Sequence, residues 1–139
     1  MDITIEVANE QALAWLLHRE VALGPDKIRR KIKDGEILLS SSEEGPMGFL
    51  RFGYFWDEIP FMNMLIIEEH MRGKGTGTKL VWYWEEEMAR RGYEMVMTST
   101  LANENAQHFY RKLGYRDSGA LLLPGEPLEI LFVKGLSLG

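Results

Sequence analysis

A chain of 139 residues, 45% of them hydrophobic and 27% charged, fits one domain with a full apolar core and no need of a metal or disulfide staple. It has no cysteine, which excludes disulfides, thiolate metal sites and a cysteine nucleophile, and its three histidines (His18, His70, His108) lack metal-ligand spacing, so no metal is expected. A formal net charge of −5, apolar runs far below the ~20 residues of a membrane span, and an acidic, alternating N-terminus disfavour nucleic-acid binding, membrane insertion and a signal peptide; a cytoplasmic protein is expected.

Along the chain, Ile3, Ile5 and Val7 alternate with Thr4 and Glu6, the period of a strand. Leu13, Leu16, Leu17 and Val21 recur at helical spacing and predict a helix over 10–23, ended by Gly24-Pro25. Pro25-Asp26 opens a second helix with Ile28 and Ile32 on one side, and Asp34-Gly35 stops it. Lys27, Arg29, Arg30, Lys31 and Lys33 make that helix basic, as a solvated face would be. Strands are predicted over 37–41 and 47–56, around the turn-prone Glu44-Gly45-Pro46. Asp57-Glu58 makes a second turn and 61–67 a further strand. Phe49, Phe52, Tyr54, Phe55, Trp56 and Phe61 crowd this hairpin, and alternation divides them between two sheet faces.

Gly73, Gly75 and Gly77 come next, followed by an amphipathic helix carrying Leu80, Val81, Trp84 and Met88 and ended by Arg90-Arg91-Gly92. A strand over 95–100 leads to Asn103, which can cap a helix with Ala106, Phe109, Tyr110 and Leu113 that Gly114 ends. Two last strands, 119–123 and 128–133, flank the turn Pro124-Gly125-Glu126-Pro127. Interleaved strands and helices with several hairpins give the class α/β or α+β, with a mixed sheet, in a single domain over 1–139.

The segment Arg72-Gly73-Lys74-Gly75-Thr76-Gly77-Thr78 lies between an apolar strand and a helix start. Glycines there let the backbone approach a ligand and aim several N–H groups at one point, and the helix N-terminus and two cations add positive charge. Such a loop suits a phosphate or pyrophosphate. The P-loop pattern fails, because Gly73-Lys74 is followed by Gly75, and Lys79 is preceded by Thr78. The dinucleotide pattern G-x-G-x-x-G fails too, ending on Thr78 or on Leu80. A tight strand-to-helix turn that uses glycine for backbone reasons alone is the plain alternative.

What does match is Arg-x-x-Gly-x-Gly at Arg72, Gly75 and Gly77, after the strand Met64-Leu65-Ile66-Ile67. One helix and one strand later comes Asn103-x-x-Ala106-x-x-Phe109-Tyr110-x-x-x-Gly114-Tyr115. In this order the pair resembles the two signature segments of the GNAT superfamily, the acetyl-CoA-dependent N-acetyltransferases. The resemblance implies a GNAT-like single domain whose mixed central sheet, flanked by helices, is splayed between its fourth and fifth strands. It implies that Arg72, Gly73, Lys74, Gly75, Thr76, Gly77 and Thr78 grip the pyrophosphate of coenzyme A, mainly through backbone N–H groups. The backbone of Leu65 and Ile67 is then the partner of pantetheine, and the N–H near Leu65 polarises the thioester carbonyl. Asn103 matches the asparagine that contacts the pantetheine arm, and Tyr110 the tyrosine that protonates the departing thiolate. Many members carry proline where Glu69 stands, a tolerated loop variation.

The chemistry supports those roles. An alkyl amine with a pKa of about 10.4 must lose a proton before it attacks a thioester, and a phenol with a pKa of about 10 stays protonated at neutral pH as a donor to sulfur. Tyr110 shares helical spacing with Ala106 and Leu113, so a core tyrosine is the alternative. Glu58 is the candidate base or amine-recognising group, with Asp57 beside it. The expected protein is an N-acetyltransferase, monomer or homodimer, that moves an acetyl group by direct attack in a ternary complex. Its acceptor would be an amine on a small molecule or a protein. The alternative is a non-catalytic acyl-CoA-binding or regulatory module on the same fold.

Overall fold

The alternating and helically spaced apolar residues form the elements their spacing predicts, in a computed structural model that describes residues 2–20 and 22–137. Val21, placed above on the first helix, lies outside the described residues. In chain order these elements are β1 (Thr4–Val7), α1 (Leu13–Arg19), α2 (Pro25–Lys33), β2 (Ile37–Ser42), β3 (Gly45–Phe55) and β4 (Ile59–Ile67). They continue with α3 (Thr76–Arg90), β5 (Met95–Leu101), α4 (Ala106–Lys112), β6 (Arg116–Leu121) and β7 (Glu129–Gly135). The sheet has seven strands in the order β1-β2-β3-β4-β5-β7-β6. It is mixed, because β4 and β5 run parallel while β1–β2, β2–β3, β5–β7 and β6–β7 are antiparallel. No helix among the described residues is long and apolar enough to cross a membrane.

The chain divides into two compact units. The first comprises Met1–Phe52 and Met64–Trp84. In it, Ile37, Leu39 and Phe49 face a cluster of Ala8, Ala12, Leu16, Ile28 and Ile32, with Trp15 set edge-on to Phe49 at 6.1 Å. Strand alternation sends Leu38, Leu50 and Phe52 to the opposite face, where the Phe52 ring lies 5.8 Å from that of Trp84 on α3. Arg51, on the Phe49 face, is buried and donates from Nε to Glu20 Oε2 at 2.9 Å, while the Ala22 N–H donates to Glu20 Oε1 at 3.0 Å. Gly48 permits another close contact: a Cβ there would stand 2.6 Å from the Ile66 carbonyl oxygen, so only glycine lets β3 meet the end of β4.

The second unit comprises Gly53–Asn63 and Glu85–Gly139. β5 pairs with β7 over seven residues, from Met95↔Gly135 to Leu101↔Glu129, and buries Val96, Met97, Thr98 and Phe132. The parallel ladder of β4 with β5 holds only the pairs Phe61↔Met97 and Met62↔Thr98, the parting of fourth and fifth strands that the sequence led one to expect.

Several boundaries differ from the sequence expectation. The predicted helix over 10–23 is a 3-10 turn, Glu10–Ala12, followed by α1, and it stops at Glu20, which turns extended. The ion pair with Arg51 takes the Glu20 carboxylate into the core, a tertiary contact that overrides helical spacing. Gly45 and Pro46 belong to β3 rather than to a turn, with a register shift between Ser40 and Ser41 that accommodates the proline. Asn103 does not cap α4; Asn105 holds that position, and the turn before it is held by Gln107 Nε2, which donates to the Ala102 and Glu104 carbonyls at 2.8 Å each. The last hairpin is set by pairing and not by apolar content: β6 is the exposed strand Arg116–Leu121, and Leu122 lies in the connecting loop.

The Arg51–Glu20 pair generates a stability prediction. Arg51→Met leaves a buried carboxylate without its counter-charge and is expected to lower the free energy of unfolding by about 3–5 kcal/mol in urea titration. Glu20→Leu added to Arg51→Met is expected to recover part of that loss.

Candidate functional site

The glycine loop leaves β4 from a fixed point. Glu68, just past the strand, donates its N–H to the Met47 carbonyl at 2.8 Å, and its carboxylate pairs with Arg19. The guanidinium of Arg19 in turn lies 4.6 Å over the Trp15 ring. The 3-10 turn Glu69–Met71 buries Met71, and the chain then crosses Arg72 to Gly75 in an exposed loop before α3 begins at Thr76. Gly73 and Gly75 have φ of 77° and 81°, a left-handed backbone that favours glycine, and a Cβ at either would meet nothing within 4 Å. Backbone conformation is therefore what requires glycine there, and the space above the loop is open. The Lys79 N–H makes the first helical bond, to the Gly75 carbonyl at 3.0 Å, so the N–H groups just before it have no partner within the helix.

Two side chains in this loop behave in ways the sequence does not reveal. Arg72 Nε donates to the Ile67 carbonyl at 3.2 Å, so one donor of the guanidinium fork ties the loop to the end of β4. Thr76 is 1% exposed, and its Oγ1 is buried with no hydrogen-bond partner. A buried orphan hydroxyl costs about 1–3 kcal/mol, and a bound phosphate oxygen at the helix N-terminus would satisfy it. Gly77 and Thr78 follow on the first turn of α3, and Lys74 is exposed. These residues fit the pyrophosphate of a nucleotide cofactor such as coenzyme A.

The second locus lies where β4 leaves β5. Met62↔Thr98 is the last pair of the ladder, and Thr98 Oγ1 donates to the Met62 carbonyl at 2.9 Å. Tyr110, on α4, reaches the same region: its phenol is near enough to Thr98 for that hydroxyl to act on its ionisation, while its ring packs against Phe109, Tyr115 and Phe132. Burial drives the Tyr110 pKa up from 10 to about 12; the nearby Thr98 hydroxyl works against the rise and the Glu104 carboxylate adds to it. The phenol is thus held protonated beside the fork. Thr98 was not singled out from the sequence, since one threonine in a strand carries no signal and only the fold aligns it with Met62 and Tyr110.

The remaining expected residues are dispersed. Leu65 and Ile67 lie on β4, half-buried, three and five residues past the last rung of the ladder. Asn103 is exposed in the turn after β5, next to Ala102, whose N–H donates to the Leu128 carbonyl at 2.8 Å. Glu58 is exposed in the β3–β4 turn, its N–H donating to the Phe55 carbonyl at 3.0 Å; it leads into the first residue of β4, whereas the glycine loop follows the last. On the basic helix α2, Lys31 turns inward to Glu36 and to the Phe52 carbonyl, both at 2.8 Å. Arg29, Arg30 and Lys33 line an open concavity of about 610 Å³ together with Glu10 and Asp34, a mixture of charge that fits a solvated face.

Residues 5–115 match the profile of a family described as the acetyltransferase (GNAT) family. A search of curated proteins finds no match. Among solved structures, Ard1 from Thermoplasma volcanium is similar with a TM-score of 0.85 at 12% identity, over 99% of both chains. A GNAT-family acetyltransferase from Bacillus cereus ATCC 10987 is similar with a TM-score of 0.79 at 21% identity, again over 99% of both. The PaiA N-acetyltransferase from Thermoplasma acidophilum, solved in complex with coenzyme A, gives 0.79 at 14% identity over 97% of this chain and 99% of that one. At these identities the likeness is one of fold.

The buried phenol makes stability depend on pH. The folded state holds the Tyr110 proton up to about pH 12, and the unfolded chain only to about 10. The stabilisation is therefore complete below about pH 10 and lost as pH rises through about 12. Denaturant titrations are expected to show no change with pH from this group between pH 7 and 9, then a fall of up to about 3 kcal/mol between pH 10 and 12. Tyr115, also pushed up by burial and by Glu85, steepens the fall, and Tyr110→Phe is expected to remove the Tyr110 share.

Proposed function

The chain belongs to the acetyltransferase (GNAT) family, and from that premise we propose that it transfers an acetyl group from acetyl-CoA to a primary amine by direct attack within a ternary complex. One observation carries this reading: a buried phenol, held protonated, stands at the end of the β4–β5 ladder. We read residues 1–139 as one acetyltransferase domain. The acceptor is an amine on a small molecule or a protein.

Acetyl-CoA supplies a thioester whose carbonyl accepts an amine and whose sulfur departs as a thiolate. The chain's own residues would hold it by three kinds of contact. The loop from Arg72 to Thr78 presents backbone N–H groups, the orphan Thr76 hydroxyl and the Lys74 charge to the pyrophosphate. Leu65 and Ile67 offer backbone groups on β4 beyond its last rung to the pantetheine amides, the N–H near Leu65 serving the carbonyl oxygen. Asn103 completes the arm's contacts from the turn after β5.

Tyr110 then acts at the sulfur. Proton transfer from a phenol at about 12 to a thiolate near 8.5 is uphill by about 3–4 units in water. The burial that raises the phenol also raises a thiol lodged beside it, which narrows the gap. Tyr110 Oη therefore donates its hydrogen bond as charge develops on sulfur, and gives up its proton only as the bond to carbon breaks. The amine must lose a proton on the way to the amide, and Glu58 is the carboxylate we assign to that step, directly or through water.

Turnover is testable by thiol release from acetyl-CoA over a panel of polyamines, amino acids, aminoglycosides and peptides. Tyr110→Phe is expected to lower kcat by about 100-fold, in the range of general acid catalysis, with little change in KM for acetyl-CoA. Binding of coenzyme A without release on any acceptor would favour the non-catalytic module instead. Glu58→Gln with an unaltered kcat/KM and pH profile would remove Glu58 as the base. Thr76→Val separates binding from folding: it is expected to stabilise the free protein by about 1 kcal/mol while weakening coenzyme A binding by about tenfold in calorimetry. An unchanged affinity would place the pyrophosphate elsewhere.

A further inference from the structure

Beside Tyr110 stands a second buried polar group, which the reaction above does not use. Tyr115, 2% exposed, donates from its phenol to Glu85 Oε2 at 2.7 Å. The other oxygen of that carboxylate, Oε1, accepts from Lys134 Nζ at 2.8 Å. The ammonium of Lys134 also lies 5.6 Å from the centre of the Tyr115 ring, and its stem passes over Gly114. The three residues come from the last turns of α3, the residue after Gly114 and β7. Each satisfies a neighbour: a buried carboxylate without a counter-charge would be costly, and a buried phenol without an acceptor would be too. The network is closed, with both carboxylate oxygens engaged.

Its outward connection is to Tyr110. The Tyr115 N–H donates to the Tyr110 carbonyl at 3.0 Å, and the two rings meet edge to face, 5.7 Å apart at 64°. Tyr115 thus holds Tyr110 at both its backbone and its ring, while its own phenol is pinned by Glu85. Phe109 and Phe132 also flank the Tyr110 ring, at 5.3 and 6.0 Å. Among the described residues no side-chain hydrogen bond joins the two phenols; Tyr115 gives its proton to Glu85, which makes it a brace and not a proton relay.

We propose that Tyr115, pinned by the Glu85–Lys134 pair, is a positioning residue that fixes the orientation of the Tyr110 ring and so aims its hydroxyl at the fork between β4 and β5. The catalytic half of this inference rests on the assignment of Tyr110 as the proton donor. The brace itself does not.

The experiment has two readouts. In protein labelled on its tyrosine rings, nuclear magnetic resonance measures how fast the Tyr110 ring flips. Slow flipping is expected in the wild type and at least tenfold faster flipping in Tyr115→Phe, which keeps the ring volume and loses only the bond to Glu85. Glu85→Gln keeps an oxygen for the Tyr115 phenol and is expected to retain slow flipping. An unchanged flip rate in Tyr115→Phe overturns the brace, whatever the role of Tyr110. The second readout is thiol release with the most active amine of the panel. Tyr115→Phe is expected to lower kcat about tenfold at constant KM for acetyl-CoA, and to have no further effect in a Tyr110→Phe background. Effects that multiply in the double variant would show that Tyr115 does not act through Tyr110. A Tyr110→Phe variant with full kcat would instead remove the proton donor and with it the catalytic half, leaving the ring measurement to decide the brace.

Discussion

The hydrogen bond from the Thr98 hydroxyl to the Met62 carbonyl closes the β4–β5 ladder at its second and last rung. Parallel strands that pair for two residues and then part are unusual, because strand edges carry backbone groups that must find partners. A side-chain hydroxyl at the parting gives one of those carbonyls a partner that needs no third rung. Thr98 also acts on the ionisation of the buried Tyr110 phenol, so the residue that ends the ladder neighbours the tyrosine of α4.

Each compact unit also contains a buried carboxylate, and in both cases that carboxylate is fully engaged. In the first, Glu20 accepts from Arg51 and from the Ala22 N–H, which turns the chain out of α1 and toward α2. In the second, Glu85 accepts from Tyr115 and Lys134. Satisfied buried charges contribute modest net stability but penalise every arrangement that separates them. Their effect here is on geometry: one fixes where a helix stops, the other fixes a tyrosine beside the fork.

Some of the candidate site was legible in the residues. Gly73 and Gly75 were readable because left-handed backbone is a local property that glycine satisfies best, and the structure gives both positive φ. Tyr110 was readable through its place among Ala106, Phe109 and Gly114. Thr76 was readable only as part of the loop; its orphaned hydroxyl was not, because burial is a property of the whole fold. Asn103 misled as a helix cap, since the preference of asparagine for turns holds as well inside the turn as at its end. Aromatic residues of the β3–β4 hairpin were countable but not sortable. Phe49 and Phe52 went to opposite faces of β3, Tyr54 went to Tyr93 at 5.9 Å, and Trp56 stayed outside in a turn with φ of 58°.

By itself the sequence determined the class of fold, the order of its elements, the glycine loop before α3 and the tyrosine on α4. Each of these is written in short-range features: period, turn chemistry and backbone freedom within a few neighbours. Only the tertiary structure decided which carboxylates are buried and by what they are matched, where α1 ends, that Gly48 must be bare for the end of β4 to fit, and that Thr98 stands between Met62 and Tyr110. Those contacts join residues 12 to 49 positions apart, and no local pattern encodes a partner at that distance.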